Sequence, residues 1–159
     1  MRIVLGTLLV LLVASCGFQL RGSANLPFET LYVPGATSGI ALDLKRTIQA
    51  GTSTRVVDSP KDAQAVLEFT QETREKETLS LTGAGRVREF RLHYQVQYRV
   101  HDGKGRNYVA PTTLRQVRTI LYNDSIVLAK ESEEQLLYRD MQTDMMQQIL
   151  RQLAAARLQ

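Results

Sequence analysis

The chain has 159 residues, 43% of them apolar and 23% charged, enough for one domain with a real core and too few for two comfortable ones. Its 20 Lys and Arg against 16 Asp and Glu leave a net charge of +4, a mild excess that favours anionic partners. A single Cys excludes a disulfide framework within the chain and cannot by itself build a thiolate metal cluster.

Met1-Arg2 is a short positive start, and Ile3 to Val13 carries no charge. Eleven residues suit the apolar region of a signal peptide and fall short of the roughly 20 needed to span a bilayer. Val13-Ala14-Ser15-Cys16 then has the pattern of a bacterial lipobox, in which cleavage precedes the cysteine and acyl chains are attached to it. The plainer alternatives are an ordinary signal peptide with a chance cysteine, or a buried apolar strand. The lipobox reading makes residues 1–15 a lipoprotein signal peptide, 16–27 a lipidated N-terminus and tether, and 28–159 one domain. Gly17, rather than Asp, after the cysteine resembles lipoproteins sorted to the outer membrane. A protein on its periplasmic face meets no chromosomal DNA, so nucleic acid is not the expected partner.

Thr30 to Val33 predicts a short strand ended by Pro34-Gly35. Ser38 is a candidate N-cap for a helix whose Ile40, Leu44 and Ile48 share a face, with Gly51 as its stop. Arg55 to Val57 is a further short strand-like piece. Ala63, Ala65, Leu67 and Phe69 start a strand expected to run to about Lys76. The clearest pattern follows: Phe90 through Val100 are apolar at even positions, while Glu89 through His101 are polar at odd ones. That predicts a long antiparallel strand with one buried face. Thr82-Gly83-Ala84-Gly85 precedes it as a turn, and Asp102-Gly103-Lys104-Gly105 is a hairpin turn into a returning strand, about Tyr108 to Tyr122. From Leu128 to Ala156 the period becomes helical, with Leu137, Met141, Met145, Ile149 and Leu153 at steps of four. A capping box at Ser132 to Gln135 places the start there, or a turn earlier at Lys130. Two helices cannot cover both sides of such a sheet, so both should pack on one face.

Reactive groups do not converge. His93 and His101 lie on one side of the same strand, about 26 Å apart, and read as surface histidines. The Thr82-Gly83-Ala84-Gly85-Arg86 turn lacks a P-loop ending, and Glu72, Glu75 and Glu77, interleaved with Arg74 and Lys76, read as a solvated strand edge. The expectation is a non-enzyme with no cofactor and no metal. Positive charge, by contrast, is concentrated: Arg86 to Arg118 holds eight basic residues against Glu89 and Asp102, a local +6. Arginine forks suit phosphate, although a merely solvated face has the same composition.

With Cys16-Gly17-Phe18-Gln19-Leu20-Arg21-Gly22 at the anchor, Glu89-Phe90 opening the alternating strand and Leu128-Ala129-Lys130-Glu131 opening the last helix, the chain resembles the LPS-assembly lipoprotein LptE (RlpB) family. The resemblance covers essentially all of the chain after the lipobox. It implies an α+β two-layer sandwich, two helices on one face of a mostly antiparallel four-stranded sheet. It also implies a one-to-one plug inside the LptD β-barrel of the outer membrane, assisting that barrel's assembly and lipopolysaccharide delivery.

Lipopolysaccharide binding is implied too. The family's basic positions lie in the hairpin before the alternating strand and at the start of the last helix. Lys130 matches the second, while an ungapped alignment puts Gly83 at the first, with Arg86 and Arg88 as nearby substitutes and Arg91 beyond them. Gln95, Gln97 and Arg99, on the polar side of the alternating strand, are the candidate barrel-facing residues. A free lipid-binding carrier and a passive envelope scaffold remain the alternative functions.

Overall fold

The structure, a computed structural model, describes residues 25–157. The elements run β1 (Thr30–Tyr32), α1 (Gly39–Gly51), β2 (Arg55–Val57), β3 (Ala65–Leu81), β4 (Val87–His101), β5 (Asn107–Leu121) and α2 (Val127–Ala155), with short 3₁₀ turns at Pro60–Asp62 and Asp124–Ile126. The sheet has five strands in the order β2-β1-β3-β4-β5. The α+β class and the two helices agree with expectation; the four-stranded, mostly antiparallel sheet does not. The sheet is mixed, because Arg55–Val57 is a strand, paired parallel with β1 through Leu31 opposite Val56, and β1 in turn runs parallel to β3. A three-residue strand has too few side chains to show a period; the β1-α1-β2 crossover places it.

β4 is central, and its alternation is the organising feature. Leu92, Tyr94, Val96, Tyr98 and Val100 are buried beneath the helices, and Arg91 to His101 at odd positions stay half-exposed on the open face. α1 adds Ile40, Leu44 and Ile48 to the core, and α2 adds Met141, Met145, Ile149 and Leu153, all fully buried in one cluster. The helices touch through Gln142, whose side-chain amide donates to Asp43 Oδ2 at 2.7 Å.

β3 departs most from its sequence pattern. It continues past Lys76 to Leu81, and its register slips between Phe69 and Gln71. This bulge at Thr70 inverts the alternation: Leu67 and Phe69 face the helices before it, and Glu72, Arg74 and Lys76 do so after it, opposite Val96, Tyr94 and Leu92. These three charges stay exposed along the free edge of β3, as a solvated edge should, but they lie on the helix side and have partners there. Tyr94 Oη donates to Glu72 Oε1 at 2.6 Å, and Arg74 donates to Gln142 Oε1 at 2.5 Å while lying 4.7 Å from the Tyr94 ring centre. Burial, with the Glu72 bond, pushes the Tyr94 phenol well above its ordinary range.

Helix ends also differ from expectation. Ser38 makes no side-chain cap bond; the Glu72 carboxylate from β3 accepts the Ile40 N–H at 3.3 Å instead. Gly51 lies inside α1, and Thr52 closes the helix by donating its N–H and its hydroxyl to the Ile48 carbonyl. Gly39 has φ of +61°, and a Cβ there would collide with the Glu72 carboxylate. Gly39→Ala is therefore expected to destabilise the fold by about 2 kcal/mol, the left-handed penalty plus the displaced cap, in urea denaturation. An unchanged midpoint would show that the Glu72 cap contributes nothing.

β5 is an edge strand, which is why Pro111 is tolerated within it. Asn123 Oδ1 accepts the Ser125 N–H at 2.9 Å, starting the 3₁₀ turn that leads directly into α2 at Val127. Ser132 is thus inside the helix, bonded back to the Leu128 carbonyl, and is not a cap.

Candidate functional site: an apolar basic tip and a polar sheet face

The far ends of β3 and β5, the start of β4 and the first turn of α2 meet at one end of the sheet. The β3–β4 turn is closed by Thr82, whose N–H donates to the Arg86 carbonyl at 2.7 Å and whose hydroxyl accepts the Arg86 N–H at 3.2 Å. Gly85 supplies the positive φ, +75°, that the turn needs. The Tyr122 N–H donates to the Arg88 carbonyl at 2.9 Å, and the Phe90 and Tyr122 rings pack edge to face, so the strand ends are tied together where α2 begins.

This tip is apolar on its outside. Six of the eight exposed large hydrophobic side chains among the described residues gather here: Leu79, Leu81, Leu121, Ile126, Val127 and Leu128. Leu128 is 80% exposed and Leu121 59%. Single exposed leucines need no explanation, but a cluster from three segments marks a surface that meets something apolar. Nothing in the alternation or the helical stripe announced it, since the tip joins residues that are distant in sequence.

The sequence-expected basic residues divide. Arg86 and Arg88 are exposed beside the apolar cluster, with no ion pair among the described residues. Lys130 is at the same end, but its side chain is only 17% exposed and its Nζ lies 2.8 Å from Glu133 Oε2. It shares a small notch with Lys76, a residue the sequence pattern had hidden; Lys76 pairs with Glu134 at 2.6 Å and covers the Phe90 ring. Both lysines are thus already paired, Lys76 with Glu134 inside the notch and Lys130 with Glu133 beside it. Arg91 is not part of the tip: it sits on the open face, 3.0 Å from Glu77.

The open face is polar and largely self-paired. Arg91 and His93 both reach Glu77 Oε1, and Arg99 and His101 both reach Glu68 Oε2, so the two histidines serve separate carboxylates on β3. The His93 hydrogen bond, with Arg91 beside it, lowers the Glu77 pKa below the usual carboxylate value. Between these clusters Gln95 stands opposite Thr73 on one side and Arg115 on the other, and Gln97 stands opposite Gln71 and Thr113. Gln95, His93, Glu75 and Arg115 border a shallow depression of about 260 Å³. The structure thus brings Gln95, Gln97 and Arg99 onto one hydrogen-bonding surface. Arg115, with no ion pair among the described residues, borders the same depression, and in the sequence it is only part of the local charge. Cys16 lies outside the described residues.

Residues 28–153 match the family model described as LptE, lipopolysaccharide-assembly. The chain belongs to the LptE family. It is 29% identical to the LPS-assembly lipoprotein LptE of Yersinia pestis (strain Pestoides F) across 92% of this chain and 72% of that one. Among solved structures, lipoprotein B of Nitrosomonas europaea is similar with a TM-score of 0.75 and 40% identity, covering 87% of this chain and 91% of that one. The rare lipoprotein B of Shewanella oneidensis is similar at 0.64 and 26% identity, covering 79% and 92%. Membership in LptE makes this a protein of lipopolysaccharide assembly and of a lipoprotein family. In those terms the basic tip and the polar face are two surfaces on one LptE domain.

Proposed function

We propose that this chain is a periplasm-facing outer-membrane lipoprotein, with residues 1–15 removed as a signal peptide and Cys16 lipidated. It plugs an LptD-type β-barrel one to one, assists the barrel's assembly and takes part in lipopolysaccharide delivery. The polar open face, with Gln95, Gln97 and Arg99, meets the hydrogen-bonding lumen wall. The tip meets lipopolysaccharide, Arg86 and Arg88 taking phosphate and the surrounding leucines taking acyl chain. The observation that carries this reading is that exposed leucines share one end of the sheet with two arginines that have no ion pair among the described residues, the two halves of what an anionic lipid requires. Residues 28–153, the stretch that matches the family model, hold both surfaces.

Tagged protein purified from outer membranes should bring down a large β-barrel protein in equal amount. If it elutes alone under mild detergent, the plug reading is wrong. Cys16→Ala should move the protein from the membrane fraction to the soluble periplasmic fraction, since acyl chains at about 0.8 kcal/mol per buried CH₂ supply the anchor. An unaltered membrane fraction would mean that Cys16 is not what anchors it.

A further inference from the structure

The end of the sheet opposite the tip carries a second basic surface. The β4–β5 turn, the 3₁₀ turn at Pro60–Asp62 and the C-terminus of α2 meet there, bordering two adjoining open depressions that share Arg106 and Tyr108. Lys61 and Lys104 line one, Arg157 lines the other, and all three are exposed with no ion pair among the described residues. Arg106 lies over the Tyr108 ring, 5.2 Å from its centre. Among the described residues Asp102 is the one carboxylate in either lining: its Oδ1 accepts the N–H groups of Lys104 at 2.7 Å and Arg106 at 3.0 Å, holding the turn, and its Oδ2 pairs with the Arg106 side chain at 3.8 Å. Asp62 lies on the same 3₁₀ turn as Lys61 but outside the lining.

The chain enters the domain at this same end. Phe28, three residues after the first described residue, packs its ring on Tyr108 with centroids 5.4 Å apart. Residues 17–24 separate Asn25 from the proposed lipidated cysteine, and eight residues reach at most about 28 Å when fully extended. The anchored domain therefore keeps this end close to the leaflet that holds its acyl chains.

We infer that the basic surface formed by Lys61, Lys104 and Arg157 docks on the phosphate headgroups of that leaflet, setting the orientation of the domain on the membrane. The inference rests on the proposed lipid anchor at Cys16 and is independent of lipopolysaccharide binding at the tip. Its partner is an anionic phospholipid surface: open, shallow and multiply charged linings suit an array of headgroups better than one enclosed ligand. A polybasic patch beside a lipid anchor adds to the hold of the acyl chains and orients what they tether.

The chain has no Trp, so Asn107→Trp introduces a lone indole at the border of the depression. The full lipidated protein carrying it would be reconstituted into phosphatidylcholine vesicles, with or without phosphatidylglycerol, containing headgroup-labelled quencher lipid. Quenching should be about threefold greater on the anionic vesicles and should fall to the neutral level in 0.5 M salt. The triple variant Lys61→Glu/Lys104→Glu/Arg157→Glu should abolish the difference, and the exposed Arg139→Glu on α2 should not. Equal quenching on both vesicles, or a difference that survives the triple variant, overturns the inference. Relief of the quenching by 10 mM inorganic phosphate at constant ionic strength also overturns it, in favour of a discrete phosphate site. Flotation with the neutral vesicles reports the anchor separately, so a missing anchor is distinguished from a missing headgroup contact.

Discussion

Arg86→Glu/Arg88→Glu is expected to lower the affinity of the protein for lipopolysaccharide by at least about tenfold at low salt. Two exposed arginines, each giving up a charge-assisted contact with phosphate and gaining repulsion, account for about 1.5–3 kcal/mol. Lys130→Glu alone should do less, because Lys130 is mostly covered and already paired with Glu133. Leu128→Asp should cost a comparable factor by a different route. A leucine that is 80% exposed in the free protein and dry in the complex gains about 1.5–3 kcal/mol on binding, and a carboxylate there forfeits it. The two losses separate by salt. Raising salt should weaken the parent protein, should not weaken the double-arginine variant because it screens the repulsion that variant gains, and should still weaken Leu128→Asp, which keeps both arginines. Binding to immobilised lipopolysaccharide at 50 and 500 mM salt measures all of this. Undiminished binding by the arginine and leucine variants would remove the tip from the ligand's path. Since Leu128 touches little of the core, its variant should unfold at the parent's urea concentration, so lost binding would not reflect lost structure.

Met145→Ala has the opposite profile: a large loss of stability with binding retained. Met145 is fully buried in the middle of α2, in the cluster with Tyr94, Tyr98 and Ile149. Losing its side chain removes transfer free energy and leaves a cavity that the sheet below cannot close, together about 3 kcal/mol. In a domain whose total stability is on the order of 10 kcal/mol, that is a large share. Urea denaturation should show a lower midpoint with an unchanged slope. A change below 1 kcal/mol would mean that α2 shifts to fill the gap, and the placement of the helix by its methionines would have to be abandoned. Lipopolysaccharide binding below the unfolding transition should be unaffected, because the tip is made by the other end of the helix.

The legible parts of the fold were those in which burial repeats along one segment. β4 is flanked by strands on both sides and covered by helices on one, so each even residue from Leu92 to Val100 has the same environment and the pattern is strict. The stripe of α2 is legible for the same reason: Met141, Met145, Ile149 and Leu153 meet one surface. β3 was misjudged because one bulged residue, Thr70, exchanges the two faces in mid-strand. Beyond it, charged side chains point toward the helices, where Glu72 caps α1, Arg74 bonds to Gln142 of α2 and Lys76 pairs with Glu134. Exposed charges that reach across to a helix have the same spacing as charges that face only water, so periodicity does not separate them. The sheet edge was also beyond it, since Arg55–Val57 pairs only because α1 brings the chain back beside β1.

The β4 alternation and the α2 stripe determined the α+β class and its main faces, and the motifs at Cys16, Glu89-Phe90 and Leu128-Ala129-Lys130-Glu131 carried the resemblance to the LptE family, because each is a local or evenly spaced signal. Only the tertiary structure decided how the basic residues divide. It left Arg86 and Arg88 without an ion pair among the described residues, near exposed leucines, neutralised Lys130 with Glu133, and placed Arg91 on the open face against Glu77. Charge is written in the chain, but whether a charge is available depends on which carboxylate folding brings within about 3 Å of it, and those carboxylates come from other strands and other turns of the helix.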